Sequence, residues 1–230
     1  GLGSLTLTGI RNDATTHLNG GFTEDVNLHY YHVDNDVDMV LNLGDSGQLF
    51  TLNVAHNSNT LNIDSIQGEN AINMVDLGNG ILSNLNITGD APLYFGNDLS
   101  GSFHNGRTAT IDASDNTGGV DLTLNGQPDV HFIGTDAADD FTATAGDNVV
   151  LEAGEGDNAL TTDGSDNVEI TSGEGDDEIS AQNGEEVIID AGDGENAINT
   201  DGSEEVDILA GAGDDEISST GGEEVTIDAG

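Results

Sequence analysis

The sequence predicts an all-β fold: a parallel β-helix or β-roll solenoid with irregular N-terminal turns followed by five regular turns of nineteen residues. Three observations carry this expectation. Residues 134–228 divide without remainder into five blocks of nineteen: GTDAADDFTATAGDNVVLE, AGEGDNALTTDGSDNVEIT, SGEGDDEISAQNGEEVIID, AGDGENAINTDGSEEVDIL and AGAGDDEISSTGGEEVTID. A fixed period near 20 residues marks a stack in which each repeat touches only its neighbours. Aliphatic residues recur in constant phase within the blocks. Before them, short runs alternate polar and apolar residues, and no convincing amphipathic helix occurs.

Residues 1–133 contain SLTLTG, VNLHYYHV, VDMVLNL, LFTLNV, TLNI, NLNITG, TATID, VDLTL and VHFI, separated by clusters of Gly, Asn and Asp. Such alternation describes half-buried strands between polar turns. The region reads as irregular β-helical turns running into the regular ones, with a separate antiparallel sandwich as the alternative. Asp34, Asp36 and Asp38, with Asp45 eleven residues after the first, have the look of a calcium loop, but Met39 stands where that loop needs glycine. A solvated strand face is the better reading. His29 and His32 are three apart, which puts them on opposite faces of a strand and argues against a shared metal. Asn86, Ile87 and Thr88 form a sequon that reads more simply as a strand ending in a turn.

In residues 134–230 each block carries two strand signals. One centres on Phe141, Leu160, Ile179, Ile198 and Ile217, followed two residues later by Ala143, Thr162, Ala181, Thr200 and Ser219. The other pairs Val149, Val168, Val187, Val206 and Val225 with Leu151, Ile170, Ile189, Ile208 and Ile227. Period two aims each pair at one face, so the columns predict a flattened roll with a core one side chain thick. Ala229 and Gly230 stand in phase with a sixth block, and the chain opens without Met or a basic segment, so a longer array is expected around it.

Glycines at 154 and 156, 173 and 175, 192 and 194, and 211 and 213 mark a tight corner in each turn. Directly after them come Asp157 and Asn158, Asp176 and Asp177, Glu195 and Asn196, and Asp214 and Asp215. Equivalent positions in a parallel stack lie roughly 4.8 Å apart, where bare carboxylates repel by about 1 kcal/mol per pair even at the dielectric of water. A divalent cation between turns reverses that sign. Ca2+ suits the site better than Mg2+, since it accepts six to eight oxygens, carboxylate and carbonyl alike, with relaxed geometry. The opposite corner carries a second acidic row, Asp166, Glu185, Glu204 and Glu223, beside Asn167, Glu186, Glu205 and Glu224; looser ion binding and plain solvation are both open there.

GEGDNAL (154–160), GEGDDEI (173–179), GDGENAI (192–198) and GAGDDEI (211–217) resemble the nonapeptide GGxGxDxUx of the RTX (repeats-in-toxin) family. The resemblance implies a β-roll in which corner carbonyls and the motif's aspartate bind Ca2+ between turns. Carried over, that aspartate falls on Asp139, Asn158, Asp177, Asn196 and Asp215. The match departs from the motif at Ala153, Ser172, Ala191 and Ala210, which replace its first glycine, and at the asparagines. Residues 82–230 are also similar to RTX-type regions of bacterial surface-layer proteins and large adhesins, which implies export without an N-terminal signal and calcium-triggered folding outside the cell.

The charge agrees with cationic partners. Arg11 and Arg107 are the only fixed cations against 45 acids, a formal charge of -43, which speaks against nucleic acid and anionic membranes. The absence of cysteine leaves oxygen ligands and six histidines, and no apolar run of membrane-spanning length occurs. The expected function is an extracellular or cell-surface structural protein: a surface-layer, filament or adhesin segment that binds several Ca2+ ions and self-associates, with cell-surface polysaccharide as a further partner. A secretion and folding module of a larger enzyme is the alternative. No HExxH or GxSxG motif points to catalysis within this chain. A polyanionic or halophilic protein without specific metal sites is a third reading. The five blocks hold 29 of the 45 acids in fixed phase, which favours metal.

Overall fold

Short β-branched runs between glycine-rich corners coil the chain into two stacks of parallel strands rather than hairpins. The computed structural model describes residues 5–11, 14–20, 22, 24–30, 37–43, 49–56, 58–76 and 80–230. Among them are twenty-two strands in two eleven-stranded sheets. Consecutive strands go to opposite sheets, and each pairs with the strand two further on. The first sheet runs from Leu5–Ile10 to Glu216–Ser218 and the second from Thr16–Asn19 to Glu224–Asp228. Every ladder between these strands is parallel, which defines a β-solenoid and excludes an antiparallel sandwich for the N-terminal half.

Register separates the two halves without interrupting the sheets. Leu5 pairs with Val26, Val26 with Leu52, and Leu93 with Val120, so early turns differ in length. The longer ones hold extra corner residues, among them the 3-10 turn Ser100–Ser102. From Asp121 with Asp140 and Asp129 with Asn148, paired residues lie nineteen positions apart, save for a shift at Gly154, which pairs with Ser172. The regular register therefore begins one turn before residue 134.

A single apolar cluster fills the space between the sheets from Leu18 to Ala210. Early turns supply Leu, Met and Phe; Phe132 of the second sheet then stacks on Phe141 of the first, with centroids 4.4 Å apart. Beyond that pair the core is Val, Ile and Leu with Ala and Thr, and the roll is thin. The predicted columns are buried as far as Ile208, whereas Val225 and Ile227 of the last turn are exposed. The notable polar intruders are Thr162 and Thr200, buried hydroxyls without a hydrogen-bond partner that alternate with Ala143 and Ala181. An unsatisfied buried hydroxyl costs about 1–3 kcal/mol. Thr162→Val and Thr200→Val are therefore expected to raise stability by about 1 kcal/mol each, read as a higher urea midpoint at constant m-value.

Candidate metal centre at the glycine-rich corner

The corner that returns the chain from the second sheet to the first stacks two files of glycine. A Cβ on Gly173, Gly192 or Gly211 would land on the carbonyl oxygen of Gly154, Gly173 or Gly192, one turn earlier. In the second file a Cβ on Gly175, Gly194 or Gly213 would land on the carbonyl of Gly156, Gly175 or Gly194. Close approach of backbone to backbone is thus what demands glycine here, and Gly192, at φ +73°, needs it for its left-handed conformation as well. The result is a pair of carbonyl columns directed along the stack, a donor set that suits a hard cation.

Beside these columns lies the position that the RTX resemblance assigns to aspartate. Asp139, Asn158, Asp177 and Asn196 are buried, and Asp215 of the last full corner is half-buried. Each sends Oδ1 back to the preceding turn. Asp139 accepts from the Val120 amide at 2.7 Å, Asn158 from Asp139 at 3.0 Å, Asp177 from Asn158 at 2.8 Å, Asn196 from Asp177 at 3.0 Å and Asp215 from Asn196 at 2.9 Å. The inner file is thus a hydrogen-bonded ladder joining successive turns. Asp139 is satisfied at its second oxygen too, where the Thr135 amide donates to Oδ2 at 2.7 Å. Oδ2 of Asp177 and Oδ2 of Asp215 are buried with no hydrogen-bond partner.

The neighbouring file, Asp157, Asp176, Glu195 and Asp214, faces solvent and is acidic at every turn. Asp157 accepts from the Asp176 amide at 2.9 Å and Asp176 from the Glu195 amide at 2.8 Å, while Asp193 accepts from Ala212 at 3.0 Å. Among the described residues, no three or more carboxylates or imidazoles converge on one point. Side chains alone do not form a cage, so a cation here would draw ligands from the Gly154, Gly173, Gly192 and Gly211 corners as well as from the acids. The orphaned carboxylate oxygens and the glycine files fit such an ion.

The ladder extends further than the motif indicated. Asn70, fully buried, accepts from the Leu43 amide at 2.8 Å and donates to Ser65 Oγ at 2.8 Å. Asn116 occupies the same corner and accepts from the amides of Gly118 and Gly119. The signal for Asn70 was present: GENAIN at 68–73 recurs letter for letter at 194–199. Asn116 has no comparable mark.

Elsewhere the acids follow a different rule. On the outer face of the first sheet Asp140 lies beside Ala159, then come Glu178, Ala197 and Glu216. At the far end of the same strands Thr144, Asp163 and Gln182 alternate in the opposite sense. The second sheet repeats the scheme: Val150, Glu169, Ile188, Asp207, Thr226 beside Glu152, Thr171, Asp190, Leu209, Asp228. Each strand thus presents one acid in these columns, displaced from the next, which roughly halves nearest-neighbour repulsion. Asp121 beside Asp140 breaks the rule, and burial, followed by the Asp140 charge, pushes its carboxyl up to about 6.

The second predicted row, Asp166, Glu185, Glu204 and Glu223, is exposed at the opposite corner, next to the consecutive acids Glu186, Glu205 and Glu224. Asp38 and His29 lie half-buried in strands, whereas Asp34, Asp36, Asp45 and His32 fall outside the described residues. Asn86 sits within a strand and donates to Asn62 Oδ1 at 2.7 Å. Comparison with known proteins returned no match to a family model, a curated protein or a solved structure.

Two outcomes follow from this geometry. Gly192→Ala meets both a backbone clash and a left-handed φ, and is expected to lose 3 kcal/mol or more, on the order of a strained core substitution. Gly164→Ala, at φ +66° but with open space around it, should lose about 1 kcal/mol. Chemical denaturation of the two variants measures the difference. The second concerns pH. Burial pushes the Asp139 carboxyl up to about 6, against the pull of the Thr135 and Val120 amides, and raises Asp177 as well. A carboxyl held above its unfolded value contributes stability in full below that value and loses it as pH rises through the folded pKa. In chelator, stability should therefore fall between pH 4 and 7, by roughly 3 kcal/mol for Asp139 alone. Asp121→Asn should flatten the profile, and a metal-free protein equally stable across that range would contradict the assignment.

Proposed function

We propose that this chain is a structural segment of an extracellular assembly, a surface layer, filament or adhesin, whose solenoid is folded and stiffened by Ca2+ bound between turns at the glycine-rich corner. The observation that carries the reading is the coincidence, turn after turn, of stacked glycine carbonyls with an unbroken acidic file at Asp157, Asp176, Glu195 and Asp214. On the sheet faces the same chain keeps acids apart. It stacks them turn after turn at the two corners, and at this one two files of glycine carbonyls run beside them. A protein selected merely for solubility has no use for that contrast.

The role is mechanical and not catalytic. A stack whose turns are pinned by ions becomes a stiff rod, and rods of this kind suit association with further copies into a lattice or filament, or attachment to cell-surface polysaccharide. A second reading draws on the checkerboard of acids: dispersal of charge over both faces also suits an acidic protein held folded by high salt, without specific metal sites.

Thermal unfolding separates the two. With calcium at a hundredfold excess over Kd, each site adds about 2.7 kcal/mol, worth roughly 5–10 °C for a chain of this size. Excess chelator should therefore collapse the circular dichroism signal or lower the midpoint by tens of degrees if several sites act together, on the order of that per-site value. Sodium chloride at matched ionic strength should not restore it. Restoration by sodium as well as by calcium would favour the salt reading.

A further inference from the structure

The inner ladder alternates between two kinds of side chain, and only one of them can close its own turn. At the asparagines the side-chain nitrogen is engaged. Asn158 Nδ2 donates to Gly156 O at 2.9 Å and approaches Ser172 Oγ at 3.4 Å. Asn196 Nδ2 donates to Ala210 O at 3.2 Å and Gly192 O at 3.4 Å. Asn70 Nδ2 does the same with Ser65 Oγ at 2.8 Å and Leu41 O at 3.3 Å. In each case one NH2 group ties the oxygens of its own corner to those of an adjacent turn.

By the nineteen-residue register, the corresponding oxygens around Asp177 are the carbonyls of Gly173, Gly175 and Ala191. A carboxylate brings only acceptors to that place. Its Oδ1 is used by the Asn158 amide. Burial raises its carboxyl, and the Ser172 hydroxyl and the Asn158 side chain lie near enough to pull it down in part, but its Oδ2, in a residue 1% exposed, is left without a hydrogen bond of its own. Asp215 Oδ2 is in the same position. Asp139 is not, because Thr135 supplies a donor to it. Five ladder positions that look equivalent in the motif therefore fall into three classes.

We propose that the ladder is closed by amides at Asn70, Asn158 and Asn196, where the NH2 group stands in for an ion, by Thr135 at Asp139, and by a hard divalent cation only at Asp177 and Asp215. The cation half rests on the calcium reading given above; the amide half rests on the hydrogen bonds alone. Cations on this inner file then occupy alternate turns, and the amide turns between them hold together without metal. The same alternation keeps two buried carboxylates from facing each other one turn apart.

The test compares the full chain with Asp177→Asn and Asn158→Asp by thermal unfolding in EDTA and in calcium, and by calorimetric calcium titration. Asp177→Asn should raise the EDTA midpoint by several degrees, lower the calcium-induced increment and lose one ion from the stoichiometry. Asn158→Asp should lower the EDTA midpoint and enlarge the increment. An Asp177→Asn midpoint at or below wild type in EDTA overturns the amide half, whatever calcium does. Unchanged stoichiometry in Asp177→Asn, or an anomalous calcium peak at the Asn158 corner in crystals of the wild type, overturns the cation half. A wild type that shows no calcium increment at all overturns both the calcium reading and the cation half, and leaves the EDTA comparison to decide the amide half.

Discussion

Identical positions in a parallel stack are held roughly 4.8 Å apart, and nothing in the side chains can alter that distance. For an apolar residue this is an advantage, since Val stacks on Val and Ile on Ile in continuous columns. For a carboxylate it is a liability of about 1 kcal/mol per neighbour in water and more where water is excluded. A chain with 45 acids and two arginines meets that liability everywhere. Its surface shows three answers: alternation with neutral residues on the sheet faces, alternation of Asp with Asn in the buried ladder, and unrelieved stacking at the exposed corners. The third is affordable where solvent or counterions reach the charges.

The consequence is a period of two turns laid over the period of one. Ala and Thr alternate in the core, Asp and Asn in the ladder, acid and alanine on the first sheet, and Ser and Gly at the opposite corner, where Ser165 and Ser203 accept from the amides of Gly146 and Gly184. A repeat unit of two turns lets neighbouring turns be complementary instead of identical. Self-complementarity in a stack is easy for aliphatic groups and hard for charges, and the sequence resolves the conflict by differentiating adjacent turns.

Much of the C-terminal half was legible in the sequence because its determinants are local and repeated. The aliphatic columns, the glycine corners and the acidic files all sit at fixed phase, and period-two geometry places them without knowledge of tertiary contacts. The N-terminal half was legible as irregular β-helical turns, but not in its register. Its turns differ in length, so the register of Leu93 with Val120 depends on how an inserted corner folds. The motif located the ladder but not its chemistry: whether a second side-chain oxygen meets a backbone amide or is left unpaired depends on the turn beside it. Thr135 shows this well, since its amide closes Asp139 Oδ2 where the later turns carry glycine. GENAIN at 68–73 could have marked Asn70, but irregular flanks hid its phase.

The ladder also has a direction. Except at Asn116, which caps its own corner, each Oδ1 reaches back to an amide of the turn before it, from Asn70 to Leu43 and from Asp215 to Asn196. A turn is thus completed by its successor and not by itself. Assembly from the N-terminal end adds a turn that seals the one below, whereas a chain pulled from the C-terminal end surrenders its acceptors one at a time, each loss exposing the next amide. The solenoid behaves in this respect as a zipper with a preferred end, and its resistance to force depends on which end is held.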